Sequence, residues 1–207
     1  MRLQALLFDA DGVMQRASWS DPQSALAAIL GRPRAELEQL TRELLDAERP
    51  SLGGAGHFVE DIRGVLLRWQ LEARLDAVLA IWTTLEVDPA MVGAVRSLRA
   101  RGLACCLATN QNPHRAAYMS TELGYAQLFD RELYSCHLGA AKPDPEYFRA
   151  ACRVLSLAPS EILFVDDSAC NVEAARSVGL HAALFTAERK TSARALRAIL
   201  EPFGLAI

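Results

Sequence analysis

The feature that most constrains the fold is a recurring unit: an apolar run of strand length that ends in polar residues. Leu3 to Phe8 leads into Asp9-Ala10-Asp11-Gly12, Leu103 to Ala108 into Thr109-Asn110, and Glu161 to Val165 into Asp166-Asp167-Ser168. Runs of this length and composition read as strands buried on both faces, the kind that build parallel sheets. Open α/β sheets place their ligands at the carboxyl ends of such strands. Asp9 and Asp11 stand two apart, so an extended strand end can point both side chains to one side. Gly12 then lets the chain turn away without a steric penalty. Two carboxylates crowded at one strand tip repel each other unless a cation or a proton is shared between them. Taken alone, the first segment also fits an Asp-Gly turn with solvated acids.

Between the second and third tips lies Gly139-Ala140-Ala141-Lys142-Pro143-Asp144-Pro145. The chain has 22 basic residues, of which only Lys142 and Lys190 are lysines. In so arginine-dominated a chain, lysine at 142 suggests a need for a compact ammonium instead of a planar fork. A solvated loop lysine is the plainer alternative.

Helical periodicity fills the interval after the first strand. Phe58, Ile62, Val65, Leu66 and Trp69 share one face of a helix over residues 58 to 69. Leu71, Leu75, Val78, Leu79, Trp82 and Leu85 share one over residues 71 to 85, and Leu37, Leu40, Leu44 and Leu45 mark an earlier helix. Such helices can bury their faces against each other as a small bundle. From Asp88-Pro89 onward the pattern alternates. Helices are expected at about 90–101, from Pro113, at 145–155, 170–177 and 190–200, with strands at 103–108, 132–136, 162–165 and 181–185. Alternation of this kind means parallel strands joined by right-handed crossovers. The expected fold is therefore α/β: a doubly wound, Rossmann-like parallel sheet formed by residues 1–14 and 87–207, with residues 15–86 inserted as a helical subdomain.

Composition narrows the function. At 207 residues and 51% hydrophobic content, the chain can bury one good core and carry an insertion. Its net charge is −3, and no basic run offers a nucleic-acid surface. No apolar stretch reaches the ~18 residues that would suggest a membrane span. Acidic residues appear by Asp9, so a cleavable leader is not expected, and the cytoplasm is the expected compartment. The five cysteines lack metal-ligand spacing. Cys105 and Cys106, neighbours in a strand, point to opposite faces and cannot readily bridge. His137 and His181, at or near strands, read as packing or core groups. His114, near the second strand tip, is a candidate for substrate contact. Oligomeric state is not legible.

The tips together, Asp-x-Asp-Gly at 9–12, Thr-Asn at 109–110, Lys-Pro-Asp-Pro at 142–145 and Asp-Asp-Ser-x-x-Asn at 166–171, resemble the haloacid dehalogenase superfamily of aspartate-nucleophile hydrolases. The resemblance covers the whole chain in order. Many members have Gly-Asp where this chain has Asp166-Asp167, and many have a further Asp at the position of Asn171.

The resemblance implies a Mg²⁺-dependent phosphatase acting on a small phosphorylated metabolite, sugar phosphates first. Asp9 would be the nucleophile and Asp11 the general acid and base. Thr109 and Lys142 would contact the phosphoryl group, with Asn110 beside them in binding substrate, and His114 stays a candidate for substrate contact by its position. Asp9, the backbone carbonyl of Asp11, and the pair Asp166 and Asp167 would hold the metal, with Asp167 the better aligned of the pair and Ser168 and Asn171 behind them. The acidic pair also fits a helix N-terminus, and Thr109 an ordinary N-cap. The insertion at 15–86 stands where the superfamily carries a cap that selects the leaving group, so Arg16, Trp19 and His57 are expected near it. A halide-cleaving dehalogenase would have no use for an acid at position 11. A hexose phosphomutase uses nearly the same motifs, and a non-catalytic binding protein could retain the fold.

Overall fold

The computed structural model describes residues 3–187 and 191–207. In chain order the elements are β1 (Ala5–Phe8), β2 (Gln15–Ala17), α1 (Pro22–Leu30), α2 (Glu38–Leu52), α3 (Phe58–Arg68), α4 (Leu75–Thr83), β3 (Leu85–Val87), α5 (Pro89–Ala100) and β4 (Ala104–Thr109). They continue with α6 (Pro113–Thr121), α7 (Tyr125–Leu128), β5 (Arg131–Tyr134), α8 (Ser135–Leu138), α9 (Pro145–Leu155), β6 (Ile162–Asp166), α10 (Ala169–Ser177), β7 (His181–Leu184) and α11 (Ser192–Leu200).

Five strands form one parallel sheet in the order β5-β4-β1-β6-β7. β1 is central, and its four residues are buried on both faces. Strand alternation divides its side chains: Leu6 and Phe8 join the core under α5, α7 and α11, whereas Ala5 and Leu7 join the core under α9 and α10. Cys105 and Cys106 on β4 follow the same rule, lie on opposite faces and remain free thiols. Burial pushes both thiols up to about 12, which leaves them protonated and inert.

Helix starts have a common local cause. Asp21, Asn112, Asp88 and Asp144 each precede a proline at the first helical turn, and each side chain accepts a hydrogen bond from a backbone N–H of that turn. Proline at that position gives up a donor the helix would leave unpaired anyway.

The inserted helices α1 to α4 bury a third apolar cluster of their own, including Leu26, Leu40, Leu44, Phe58, Ile62 and Trp82. The segment leaves and rejoins the sheet through an antiparallel stem of β2 and β3, with Gln15 opposite Val87 and Ala17 opposite Leu85. This stem corrects the expected helix over 71–85. Gln70 adopts a positive φ of 56° before a 3₁₀ turn, the helix itself runs Leu75–Thr83, and Leu85 belongs to β3. The last helix begins at Ser192; Lys190 lies outside the described residues. The two histidines expected as packing or core groups are both exposed, each edge-on to an aromatic ring: His137 to Tyr134 and His181 to Phe203.

No helix among the described residues is long and apolar enough to cross a membrane.

Candidate active site

Neighbouring strand ends assemble the site. Asp9 follows β1, and its N–H donates to Val165 O (2.9 Å), so it remains in the sheet ladder beside β6. Thr109 closes β4 and Asp166 closes β6, the two strands that flank β1. The parallel registers Phe8↔Leu107 and Phe8↔Val165 bring the tips level.

Lys142 reaches into this cluster from the loop before α9. Its Nζ donates to Asp9 Oδ1 (2.8 Å), Asp166 Oδ2 (2.6 Å) and Ala108 O (2.9 Å), and only 2% of its side chain is exposed. All three ammonium donors are therefore used, and the ring of Phe164 lies 5.1 Å away. Asn110 fixes the loop that carries the lysine: its amide donates to Lys142 O (2.7 Å) and accepts from Lys142 N–H (2.8 Å).

Asp9, Asp166 and Asp167 each offer a carboxylate oxygen within 4.8 Å of the others. Burial pushes the Asp9 carboxyl up to about 7 against the pull of the Lys142 ammonium, and Asp166 and Asp11 add to the rise. Burial, then Asp166, also raises Asp167. One ammonium thus faces a surplus of carboxylate, and the donors are all hard oxygens. Such a set suits a small divalent cation such as Mg²⁺. Asp166 is fully buried, with its oxygens accepting from Lys142, the Ser168 N–H and Asn171 Nδ2. Asp167 is exposed and lies against Gly12.

Asp11 turns toward α6. Its Oδ1 accepts from Arg115 Nη2 (2.6 Å) and Gln15 Nε2 (3.3 Å), and its Oδ2 from Gln111 Nε2 (3.1 Å). The Gln111 amide also donates to the buried Thr109 Oγ1 (3.2 Å), which ties the tips of β1 and β4 together. Sequence reading missed Gln111 and Arg115. The available signal was Asn112-Pro113, a helix start that places Arg115 in the first turn beside the strand tip.

The inserted helices lie over this edge. Asn112 Nδ2 donates to Glu48 Oε1 on α2 (2.7 Å), and the ring of His114 stacks on Phe58 of α3 with centroids 5.9 Å apart. Burial there lowers the pKa of His114. Of the three residues expected near the site from the insertion, Trp19 lines a cavity with Arg115, whereas Arg16 sits on β2 opposite Glu86 and His57 is exposed, its N–H donating to Asp61.

The family model for haloacid dehalogenase-like hydrolases matches residues 3–179, and the chain belongs to that family of hydrolases. It is 29% identical to Phosphatase MT3486 of Mycobacterium tuberculosis, over 89% of this chain and 88% of that one. It is 27% identical to N-acetylmuramic acid 6-phosphate phosphatase of Pseudomonas aeruginosa, over 86% of this chain and 80% of that one. Two other relatives are much longer, and the chain spans 9% and 39% of their length. Among solved structures, a HAD family enzyme of Bacteroides thetaiotaomicron, in complex with magnesium and inorganic phosphate, shares the fold with a TM-score of 0.76 at 19% identity. That match covers 89% of this chain and 95% of that one.

Proposed function

We propose that the chain is a Mg²⁺-dependent phosphatase that hydrolyses a small phosphorylated metabolite through an aspartyl-phosphate on Asp9. The observation that carries this reading is the contact of Lys142 Nζ with both Asp9 and Asp166 at the tips of β1 and β6. It places a fixed positive charge beside a buried carboxylate where a transferring phosphoryl group can be neutralised. Asp9 attacks phosphorus with the oxygen that Lys142 leaves free. Thr109 Oγ1 and backbone N–H groups after β4 donate to the phosphoryl oxygens. Asp11 protonates the leaving alcohol and then takes a proton from the water that attacks the phosphoenzyme. Arg115 and Gln111 hold the Asp11 carboxylate in place for both steps. Asp9, Asp167 and the main-chain carbonyl of Asp11 would hold the metal, with Asp166 completing and orienting the set. Bound Mg²⁺ supplies charge that offsets the carboxylates and the phosphoryl oxygens. Residues 15–86 act as the cap that covers the leaving group and keeps water out.

The relative named for N-acetylmuramic acid 6-phosphate supports placing sugar phosphates first among substrates. The test is a hydrolysis screen across about a hundred phosphorylated metabolites with Mg²⁺, with excess chelator, and with Ca²⁺. Turnover is expected with Mg²⁺, none with chelator, and little with Ca²⁺, whose larger coordination number would draw both Asp9 oxygens into binding. Full activity in chelator would overturn the metal assignment.

A further inference from the structure

Gln15 is tied to the tip of β1 through both its main chain and its side chain. Its N–H donates to Ala10 O (2.9 Å), and its carbonyl accepts from the Gly12 N–H (2.8 Å), so its backbone is fixed to the turn that carries Asp11. Its side chain is buried, and Nε2 donates to Asp11 Oδ1 (3.3 Å).

An amide can present either end to a neighbour, so its other partners decide which end Asp11 meets. Tyr125, fully buried at the start of α7, is the deciding one. Its hydroxyl lies 2.9 Å from Gln15 Oε1. A carbonyl oxygen only accepts, so the phenol is the donor there. Burial, then the Asp11 charge, pushes the Tyr125 phenol up, which keeps it protonated for that task. With Oε1 held by Tyr125, Nε2 faces two acceptors, Asp11 Oδ1 and Met119 Sδ (3.5 Å). The reversed amide would lose these bonds and set its oxygen against the carboxylate.

The effect falls unequally on the two carboxylate oxygens of Asp11. Oδ1 accepts from both Arg115 and Gln15, whereas Oδ2 accepts from Gln111 alone. Oδ1 is thereby anchored from α6 and from β2, and Oδ2 keeps an unused lone pair.

We infer that Tyr125 and Gln15 are positioning residues for the acid–base step. Tyr125 fixes the Gln15 amide, and that amide, together with Arg115, fixes Oδ1 so that Asp11 presents Oδ2 to the leaving alcohol. Both residues are buried and act through Asp11. The inference rests on the phosphatase reading and goes beyond it, because it gives the aim of Asp11 to a phenol 110 positions from Gln15.

The test compares two esters that differ by one methylene. The phenolate of 4-nitrophenyl phosphate leaves with little help from a proton, whereas the alkoxide of 4-nitrobenzyl phosphate needs one. With Mg²⁺ present, release of each alcohol in the first turnover reads the step in which Asp11 donates. Tyr125→Phe keeps the ring and removes the donor. It should slow 4-nitrobenzyl release about fivefold to tenfold, the worth of about one neutral hydrogen bond, and 4-nitrophenyl release less than about twofold. Gln15→Leu should slow 4-nitrobenzyl release at least ~10-fold, with the half-saturating concentrations of both esters within about twofold of wild type. The double variant should be no slower than Gln15→Leu, because Tyr125 acts through the amide.

Equal slowing of both esters by Tyr125→Phe, or losses that multiply in the double variant, would reduce Tyr125 to packing. Either result would overturn the inference and leave the phosphatase reading standing. Crystal structures read the same claim without turnover: in Gln15→Leu the Asp11 carboxylate should rotate from its place between Arg115 and Gln111. An unmoved carboxylate would also overturn the inference. A rotated carboxylate, in a protein whose wild type hydrolyses neither ester, would bring down the phosphatase reading and leave the positioning of Asp11 in place.

Discussion

Gly12 and Asp167 meet so closely that no side chain can stand between them: a Cβ at position 12 would lie 2.0 Å from Asp167 Oδ2. Gly12 also has a φ of +79°, which other residues seldom adopt. The glycine of the Asp-x-Asp-Gly segment therefore does two things. It turns the chain after β1, and it leaves room for a carboxylate that follows β6.

Gly12→Ala should accordingly displace Asp167. The positive φ alone should cost on the order of 1–3 kcal/mol of stability, measurable by urea unfolding. The more specific effect should be on the metal: half-maximal activity should require at least ~10-fold more Mg²⁺. A variant with normal metal dependence would separate Asp167 from metal binding.

Lys142 is a second lever. Lys142→Ala removes the partner of two buried carboxylates at once, and breaking a buried pair typically costs about 3–5 kcal/mol. Turnover should fall with it. Lys142→Arg should rescue neither stability nor activity, because the pocket is closed around an ammonium whose three donors each have an acceptor. Full rescue by arginine would show that only the charge matters there.

Much of this was legible in the chain. β1, β4 and β6 announced themselves because strands buried on both faces must be apolar throughout, and their tips were then the first polar residues. Lys142 stood out by scarcity. Arg115 did not: it is one of twenty arginines (22 basic residues less two lysines), and its partner Asp11 is 104 positions away. Gln111 bridges Asp11 and Thr109 through an amide that carries no sequence signal. The β2–β3 stem was hidden because each strand is only three residues long, too short for alternation to register, and Leu85 falls in step with the helix before it. α1 was overlooked although Asp21-Pro22 is the same start signal that marks α5 and α9.

The raised Asp9 carboxyl predicts a pH dependence with a definite sign. It titrates near 7 in the folded protein and near 3.8 when unperturbed. Between those values the folded state holds more protons than the unfolded one, so the contribution of Asp9 to stability is present at low pH and is lost as pH rises through about 7. In metal-free buffer, the stability of wild type minus that of Asp9→Asn should decline from pH 4 to 7, by at most about 1.4 kcal/mol per unit. A difference independent of pH would mean that Lys142 keeps Asp9 ionised throughout.

A covalent intermediate on Asp9 can be read by acid-quenched mass spectrometry of Asp11→Asn after brief exposure to an activated aryl phosphate and Mg²⁺. Such a leaving group needs little help from a proton, so Asp9 should still be phosphorylated. Water activation should fail without the Asp11 carboxylate, so the phosphoenzyme should accumulate. One phosphoryl group per chain is expected, located on Asp9 and missing when Asp9→Asn is added. Turnover without any labelled protein, a label on another residue, or an Asp9→Asn variant that retains wild-type activity would mean that Asp9 is not the nucleophile.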